Sequence, residues 1–441
     1  MRDEIIRWHA DHAWQPFTQM KLAGEPFVVS RAEGVFLYDY NGNQIIDAVG
    51  SWWVAIHGHN HPYIKKSIQT QMEDLDHVMY AGFTHKAAAE LSYRLSETTQ
   101  HKLPRIFFSD NGSTAVEIAL KMAFQFFANT DHKEKNKFVS LMKGYHGDTI
   151  GTMSAGSRSV FHDVFHPLLF DVILAKSPSC PFVDFYNEEK SAVHLQEAIE
   201  DLERIFYIHG PNLAAMILEP IIQGAGGMNY YPPLYLKKVR ELCDRYDVFF
   251  IVDEVFTGCG RTGKFYAFQH SGIYPDIIAI SKGLSAGYLP IAATLSTEKI
   301  YQGFYSDDRM HTLFHGHSMT ANPPGCAASL ASLDLIDQSY EMIKKLEEMH
   351  SSNLLGIKQG PASSLIQETR NIGTVAAIEL KLQYSYTGNF AYEFMSLCKK
   401  DGVLLRPLGN VIYITPPYII EKEELGKVYE VLERNVLKLL G

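Results

Sequence analysis

Two charged side chains follow two apolar segments in the second half of the sequence. Residues 248–252 form an apolar run that ends at Asp253, and residues 277–280 form a second run that is closely followed by Lys282. Short apolar runs of this kind are typical of buried strands in a parallel sheet. In open α/β sheets, ligands bind at the edge formed by the carboxyl ends of the strands. The sequence therefore predicts an acid and a lysine at one ligand-binding edge.

A lysine and an aspartate in such a place are suited to aldehyde and pyridine chemistry. A lysine shielded from water has a lowered pKa and forms a Schiff base with an aldehyde. An aspartate beside a pyridine nitrogen keeps that nitrogen protonated, so the ring accepts electrons. Together, Asp253 and Lys282 indicate pyridoxal 5'-phosphate as a cofactor. Taken alone, they are equally compatible with an aspartate that caps a turn and a lysine exposed in a loop.

The segments around these two residues carry a longer motif. It consists of IVDEV at 251–255, TGCGRTGKFYAFQH at 257–270 and PDIIAISKGLSAGYLPIAAT at 275–294. This stretch resembles the core signature of the class III (ω-) aminotransferases. The resemblance implies that Lys282 holds the cofactor as a Schiff base (aldimine), that Asp253 pairs with its ring nitrogen, and that both residues are catalytic.

The resemblance also implies the fold, which is the α/β architecture of the fold type I pyridoxal phosphate-dependent transferases. A large domain with a mostly parallel central sheet is joined by a smaller α+β domain built from both chain ends. We expect residues 1–60 to form an N-terminal part of the small domain, 61–337 the large cofactor-binding domain, and 338–441 the C-terminal small domain. Within the large domain, residues 157–200 show little periodicity, and we expect loop and short helix there.

Composition and charge exclude several other classes of protein. The formal net charge of −10 and the pI near 6.0 argue against a nucleic-acid partner, whose phosphates require a basic surface. The N-terminal segment lacks the apolar core of a signal peptide, and no apolar run approaches the length of a membrane span. The five cysteines are scattered without a CxxC pair, which favours reduced thiols and a cytoplasmic location. The expected partners are small-molecule substrates.

A glycine-containing turn before an apolar helix predicts an anion site. The turn is SDNGST at 109–114, and it follows a short apolar segment. Free backbone N–H groups at a helix start bind anions, and small residues allow close approach. We expect Gly112 and Ser113 to bind the phosphate of the cofactor. The alternative is a plain helix start with a capping box made by Thr114 and Glu117.

A second turn, GYHGD at 144–148, follows the apolar segment 137–141. In class III aminotransferases the aromatic ring of this motif stacks on the pyridine, so the resemblance assigns that catalytic role to Tyr145. Asp148 is a candidate partner for a substrate amine. For His146 and Asp148, local hydrogen bonding within the turn is an equally open interpretation.

Two adjacent tryptophans, Trp52 and Trp53, lie in a loop that begins with glycine. Adjacent side chains of an extended chain point in opposite directions, so we expect one ring to pack inward and the other to line a pocket. The alternating histidines His57, His59 and His61 follow. They are compatible with a metal-binding group or with turn histidines that face solvent. We predict no metal site, because no carboxylate follows at ligand spacing.

Segments at both ends of the chain narrow the resemblance to one branch of the family. They are HAWQPFTQM at 12–20, DAVGSWWVAIHGHNHP at 47–62 and RPLGNVIYITPPY at 406–418. This branch converts 8-amino-7-oxononanoate into 7,8-diaminopelargonate in biotin biosynthesis, with S-adenosylmethionine as the amino donor. Some relatives with similar segments use lysine as the donor. The alternative is another class III enzyme that acts on ω-amino acids or diamines.

This branch implies a set of substrate contacts. Arg406 is expected to bind the substrate carboxylate, since a guanidinium binds a carboxylate through two parallel hydrogen bonds. Four aromatic residues are expected to line an apolar or adenine-stacking pocket: Phe17, Trp52, Trp53 and Tyr413. Phe17 stands where this branch often has tyrosine.

The turn HGHSMTANP at 315–323 implies a dimer. In the family, a hydroxyl of this turn reaches across a subunit interface to the cofactor phosphate of the other protomer. The aligned residue is Ser318, where threonine is more usual. Gly316 of the same turn is expected to lie near the substrate. The resemblance therefore implies a homodimer with shared active sites.

Overall fold

A computed structural model describes residues 1–158, 162–383, 385 and 388–441. Its strands, in chain order, are β1 (Val29–Glu33), β2 (Phe36–Asp39), β3 (Gln44–Asp47), β4 (Arg105–Ser109), β5 (Lys137–Leu141), β6 (Ile173–Ala175), β7 (Leu213–Leu218), β8 (Ile222–Gln223), β9 (Asn229–Tyr230), β10 (Phe249–Asp253), β11 (Ile277–Ile280), β12 (Ala292–Ser296), β13 (Ile366–Ile372), β14 (Val375–Leu380), β15 (Val403–Leu404) and β16 (Val411–Ile414). Its helices are α1 (Arg2–His12), α2 (Gly50–Trp53), α3 (Pro62–Asp74), α4 (Lys86–Thr98), α5 (Gly112–Asn129), α6 (Ile150–Ala155), α7 (Glu188–His209), α8 (Leu234–Tyr246), α9 (Glu298–Gln302), α10 (Pro323–Asp337), α11 (Tyr340–Gln359), α12 (Asn389–Lys400) and α13 (Lys422–Leu440).

A seven-stranded sheet forms the centre of the protein, with the strand order β4-β12-β11-β10-β7-β5-β6. Neighbouring strands pair in parallel except at β12, which runs antiparallel to both β11 and β4. Every residue of β7, β10 and β11 is buried, as expected for strands covered on both faces. The predicted α/β fold with a mostly parallel central sheet is confirmed.

The order of the strands explains why the predicted site residues meet. Strand β10 lies between β7 and β11, and its last residue, Asp253, is in register with Ala279 of β11. Because β10 and β11 are parallel, their carboxyl ends lie at the same edge of the sheet. Lys282 follows β11 by two residues and therefore reaches the same edge as Asp253.

A second sheet, in the order β1-β2-β3-β15, joins the two ends of the chain. Strand β15 pairs in parallel with β3, which places Val403 opposite Ile46 and Leu404 opposite Asp47. A third sheet has the order β13-β14-β16. These pairings fit a small domain built from both chain ends, while the boundaries after residues 60 and 337 stay predictions.

The expectation of loop and short helix over residues 157–200 was only partly correct. The segment contains β6 at the edge of the central sheet and the first part of the long helix α7. A strand of three residues is too short to show periodicity. Helix α7 begins at Glu188 and fills the last part of the segment, which was not predicted. Residues 159–161 lie outside the described part of the chain. No helix among the described residues is both long and apolar enough to span a membrane.

Candidate active site

A cavity of about 570 Å³ opens at the edge of the sheet where β10 and β11 end. Most of the residues predicted for the site line it: Phe17, Trp52, Trp53, Gly112, Ser113, Tyr145, Asp148, Asp253, Lys282, Arg406 and Tyr413. Gly316 and Ser318 are exposed and do not belong to the lining of this cavity in the single chain. One chain therefore brings together the predicted residues apart from those of the 315–323 turn.

The amine of Lys282 lies against aromatic rings. Its Nζ is 4.3 Å from the centre of the Trp53 ring and 5.9 Å from that of Phe256. Burial lowers the pKa of Lys282 to about 8, even though the negative charges of Asp253 and Glu219 favour its protonated form. A substantial fraction of the amine is therefore neutral in mildly alkaline solution, which is the form that acts as a nucleophile or base.

Asp253 is paired with a buried histidine. Its Oδ2 lies 2.8 Å from Nδ1 of His146, and its Oδ1 accepts a hydrogen bond of 3.0 Å from the backbone N–H of Val255. Burial opposes protonation of His146, but the hydrogen bond and charge of Asp253, with the charge of Glu219, outweigh it and raise the pKa of His146. The two side chains thus form a buried, hydrogen-bonded pair of a carboxyl group and an imidazole. From the sequence, hydrogen bonding within its own turn was an open interpretation for His146, and the pairing with Asp253 was not predicted.

A third carboxyl group at the same edge was not among the predicted site residues. Glu219 directly follows β7, and its Oε2 and Oε1 accept the backbone N–H groups of Tyr145 (3.0 Å) and Gly224 (2.9 Å). Burial, together with the charge of Asp253, raises the pKa of Glu219 to about 7. The available signal was its place directly after a buried strand, the same signal that singled out Asp253.

Tyr145 is held by neighbours on two sides. Its hydroxyl donates to Oδ2 of Asp148 at 2.9 Å, and its ring stacks on that of His162 with centroids 6.1 Å apart and planes 14° apart. Burial and the nearby Asp148 carboxylate raise the pKa of Tyr145 far above its ordinary value, so the phenol remains protonated. The backbone N–H of Asp148 donates to Oγ of Ser113 at 3.2 Å. This last bond links the aromatic wall to the start of α5.

Helix α5 begins at the cavity with a cap different from the predicted one. Asn111 is the cap: its side chain accepts the N–H of Thr114 at 3.0 Å, and Thr114 accepts the N–H of Asn111 at 3.2 Å. The predicted Thr114–Glu117 box is therefore wrong, and Glu117 instead binds the Thr149 hydroxyl and the Gly151 N–H. A short polar side chain directly before the apolar helix favours the observed cap.

The first two N–H groups of α5 are available to a ligand. Within the described residues, the backbone N–H groups of Gly112 and Ser113 form no hydrogen bond. A Cβ on Gly112 would lie 2.5 Å from Cγ1 of Val255, so the close packing of this turn on the end of β10 admits only glycine. Such a helix start attracts an anion.

Arg406 lies at the aromatic end of the cavity. Its guanidinium is 4.5 Å from the centre of the Trp52 ring, whose edge-to-face contact with Phe17 has a centroid distance of 5.6 Å. No carboxylate of the described residues lies within 4.0 Å of the Arg406 guanidinium. Tyr413 packs against Trp53 with centroids 5.7 Å apart. The cavity thus has an aromatic end with one unpaired guanidinium.

The two tryptophans do not lie in extended backbone, and that expectation was wrong. The four-residue element α2 is a left-handed turn and not a regular α-helix: Gly50, Ser51, Trp52 and Trp53 have φ values of 55°, 44°, 69° and 73°. The turn directs both rings to the cavity instead of placing them on opposite sides. Trp53 is buried, whereas Trp52 is 40 % exposed.

The three alternating histidines are used separately. Nε2 of His57 lies 3.0 Å from Oγ of Ser332, and Nε2 of His59 lies 2.9 Å from Oδ2 of Asp47. Within the described ranges, no group of three or more potential ligands is arranged to hold a metal ion. The structure gives no support to a metal centre at these histidines.

Comparison with known proteins decides the family. Residues 20–436 match the family described as Aminotransferase class-III. The chain belongs to the class III aminotransferases.

This class III aminotransferase is 41 % identical to a Geobacter sulfurreducens protein named adenosylmethionine-8-amino-7-oxononanoate aminotransferase, over 98 % of this chain and 97 % of the relative. A crystal structure of a protein of that name from Methanocaldococcus jannaschii has a TM-score of 0.92 and 33 % identity, with 99 % of each chain covered. A PLP-bound amine transaminase from an uncultivated Pseudomonas species has a TM-score of 0.88 and 30 % identity, with 97 % of this chain and 98 % of that chain covered.

The cofactor of this class III aminotransferase is pyridoxal phosphate, and the residues of the cavity fit it. Lys282 has a buried amine that suits the cofactor aldehyde. Asp253 has a buried carboxyl group at the end of the neighbouring strand β10, which suits the ring nitrogen. Gly112 and Ser113 supply unpaired N–H groups for a phosphate at a helix start. The cavity therefore contains residues suited to the aldehyde, the ring nitrogen and the phosphate of the cofactor.

Proposed function

We propose that the protein transfers an amino group from S-adenosylmethionine to 8-amino-7-oxononanoate, giving 7,8-diaminopelargonate for biotin biosynthesis. The observation that carries the proposal is the guanidinium of Arg406, which faces the Lys282 cavity without a carboxylate partner among the described residues. A guanidinium in that state is suited to bind the terminal carboxylate of a keto acid. The names of relatives up to 41 % identical support the same reaction.

The cofactor would be held by five residues of this chain: Lys282, Asp253, Gly112, Ser113 and Tyr145. Bound pyridoxal phosphate supplies an electron-accepting ring and carries the amino group between the two substrates. We assign its ring nitrogen to Asp253 and its phosphate to Gly112 and Ser113. Tyr145 would cover one ring face, since its own other face already rests on His162. His146 would hold the Asp253 side chain in place through their 2.8 Å hydrogen bond, and a carboxylate at that position would keep the ring nitrogen protonated.

Lys282 would hold the cofactor at rest and then move protons. In its free, neutral form the Nζ of Lys282 would accept the proton from the carbon that bears the donor amine and would later release it. The Trp53 ring, 4.3 Å from Nζ, covers that amine, and burial of the amine lowers its pKa. Running the same proton transfers in the opposite direction aminates the ketone, so one site serves two substrates in turn.

The donor end of the site is aromatic. Trp52 and Phe17 are 40 % and 42 % exposed and form an edge-to-face pair, which leaves ring surface for an adenine to stack on. Asp148 is the proposed contact for a substrate amine, although in the described structure its Oδ2 accepts the Tyr145 hydroxyl. Tyr413, buried behind Trp53, would define the depth of the pocket.

We propose a homodimer in which each site takes one group from the partner protomer. Ser318 is exposed in a turn outside the cavity of its own chain, and it would bind the cofactor phosphate of the other protomer, with Gly316 near the substrate. Large apolar side chains close to this turn are also exposed, which suits an interface; they are Met310, Phe314 and Met319. The five cysteines are all unpaired, which favours the cytoplasm as the compartment.

The test is an assay of purified protein with 8-amino-7-oxononanoate and either S-adenosylmethionine or lysine. Formation of 7,8-diaminopelargonate with S-adenosylmethionine alone is the expected result. Product formed with lysine alone would overturn S-adenosylmethionine as the amino donor and would leave 8-amino-7-oxononanoate as the acceptor. Turnover restricted to simple amines would also contradict 8-amino-7-oxononanoate as the acceptor. The assay should include simple amines, because the chain is 30 % identical to an amine transaminase.

A further inference from the structure

We propose that Asp47, Ser51 and His59 form a partly buried clamp that holds Trp52 and Trp53 in their left-handed turn. The clamp would thereby set the shape of the substrate end of the cavity. The three residues touch neither the reacting amine nor the cofactor groups, so they are positioning residues. As far as it concerns substrate affinity, the proposal rests on the proposed function.

The centre of the clamp is the carboxylate of Asp47, at the end of β3. Asp47 is completely buried, and its Oδ2 accepts hydrogen bonds from Oγ of Ser51 at 2.6 Å and Nε2 of His59 at 2.9 Å. Its Oδ1 accepts the backbone N–H of Val49 at 3.3 Å. Burial would raise the pKa of Asp47, but the hydrogen bonds from His59 and Ser51 outweigh it and lower that pKa. Asp47 therefore remains a charged acceptor at neutral pH.

The turn needs such an anchor because its backbone is strained. Ser51, Trp52 and Trp53 all have φ values between 44° and 73°, a region that residues with a Cβ avoid. Gly50, which tolerates this region, opens the turn. Consecutive non-glycine residues there persist only where the surroundings hold them. The short bond from Ser51 to Asp47 fixes the start of the turn, and Nη2 of Arg261 fixes its end by donating to the Trp53 carbonyl at 2.7 Å.

The turn matters because both of its rings contact polar groups of the site. Trp52 lies under the guanidinium of Arg406, and Trp53 lies against the amine of Lys282. If the turn relaxed to extended backbone, the two rings would point in opposite directions and one would leave the cavity. Asp47 thus acts on the substrate end through the tryptophans.

The deciding pair of variants is Ser51→Ala and Ser51→Gly. Both remove the hydroxyl, but alanine retains the strained Cβ whereas glycine adopts the left-handed region freely. For Ser51→Ala we expect the KM for 8-amino-7-oxononanoate to rise about tenfold, with the visible absorbance of bound pyridoxal phosphate unchanged. For Ser51→Gly we expect a KM close to that of the wild type. Ser30→Ala is the matched control, since it removes an exposed hydroxyl bonded to Tyr38 and Asp39 carbonyls.

A second readout is independent of the substrate. The chain has four tryptophans, so a background with Trp8→Phe and Trp14→Phe leaves Trp52 and Trp53 as the source of the near-ultraviolet circular dichroism of indole. Ser51→Ala is expected to change that signal, and Ser51→Gly is expected to retain it. These two circular dichroism results would support the clamp even if the protein did not convert 8-amino-7-oxononanoate. Failure of that conversion would count against the proposed function and not against the clamp.

Two results would overturn the proposal. One is a Ser51→Ala protein whose KM and tryptophan signal match those of the wild type. The other is a Ser51→Gly protein as impaired as Ser51→Ala. Should Ser51→Ala fail to fold, His59→Ala removes the second bond to Asp47 without altering the turn backbone; it is expected to shift both readouts in the same direction by less, and unchanged readouts would overturn the clamp.

Discussion

The carboxylate of Asp253 and the imidazole of His146 form a buried pair, with Oδ2 and Nδ1 2.8 Å apart. The pair lies at the carboxyl end of β10, in the lining of the same cavity as Lys282. The hydrogen bond holds the Asp253 carboxylate in place, and in the proposed function its negative charge faces the ring nitrogen of the cofactor.

The first prediction follows from that charge. Asp253→Asn preserves the shape of the side chain but removes its charge, so the ring nitrogen would lose its proton and the ring would withdraw electrons less well. We expect kcat to fall by roughly two orders of magnitude or more while the protein still binds pyridoxal phosphate. Steady-state kinetics with a cofactor absorbance spectrum checks this. An Asp253→Asn protein with wild-type kcat would contradict the role assigned to Asp253.

The second prediction concerns the pH at which the protein takes up its cofactor. Only neutral Lys282 attacks the aldehyde, and its pKa is about 8, so the rate at which apoprotein binds pyridoxal phosphate should rise with pH and level off above about 8. The folded-state pKa lies below the ordinary value of 10.5. The folded apoprotein therefore binds fewer protons than the unfolded chain between these values, and its stability should rise with pH in that window.

Stopped-flow absorbance at a series of pH values measures the uptake rate. Denaturant unfolding of the apoprotein at the same pH values measures its stability, and Lys282→Met provides the control without a titrating amine. A rate that continued to climb to about pH 10.5, the ordinary lysine value, would show that the amine is not buried as described.

The third prediction tests the carboxylate contact. Arg406→Met removes the charge but retains much of the apolar stem over Trp52. We expect the KM for 8-amino-7-oxononanoate to rise roughly 10- to 100-fold, as is usual for the loss of a charged hydrogen bond. A simple amine without a carboxylate should react as with the wild type. The control is Arg434→Met, which alters a surface arginine paired with Asp401 and Glu430. An equal loss with both substrates would argue for a structural role of Arg406.

The fourth prediction concerns stability. Glu254 is fully buried and accepts hydrogen bonds from the Thr257 hydroxyl and from the backbone N–H groups of Ala267 and Phe268. Glu254→Gln replaces one acceptor oxygen by a donor, and we expect about 1–3 kcal/mol of lost unfolding free energy. Chemical denaturation measures it, with the exposed Glu348→Gln as the control.

The same comparison has a defined pH dependence. Burial raises the pKa of Glu254 from 4.5 to about 7, so its ionisation opposes folding as the pH rises through that range. The stability advantage of the wild type over Glu254→Gln should therefore narrow from pH 4.5 to about 7. An advantage that widened over this range would contradict the burial described for Glu254.

The fifth prediction tests the shared site. Lys282→Ala and Ser318→Ala proteins should each be impaired alone, and the homodimer should elute at twice the mass of one chain. When the two are unfolded and refolded together, a heterodimer contains one site with both Lys282 and Ser318 intact. Activity above that of either parent is expected. A mixture no more active than its parents would contradict a contribution from the partner protomer.

The sequence was informative where a titratable residue closely follows a short apolar run. Asp253 and Lys282 were predicted on that signal, and the mostly parallel sheet that unites them is confirmed. His146 was not identified as the partner of Asp253, and Glu219 was not identified as a site residue. Their positions depend on the strand order β10-β7-β5, which no local pattern reveals. The left-handed turn at Trp52 was also missed. Ser-Trp-Trp has no preference for positive φ, and the turn is bonded to Asp47 and to the distant Arg261.

The most direct test of the account is to reduce the purified protein with borohydride and to locate the attached pyridoxyl group by peptide mass spectrometry. We predict that Lys282 alone carries the group, and that Lys282→Ala yields no labelled peptide and no 7,8-diaminopelargonate. A label on another lysine, or product formation by Lys282→Ala, would contradict the assignment of the site.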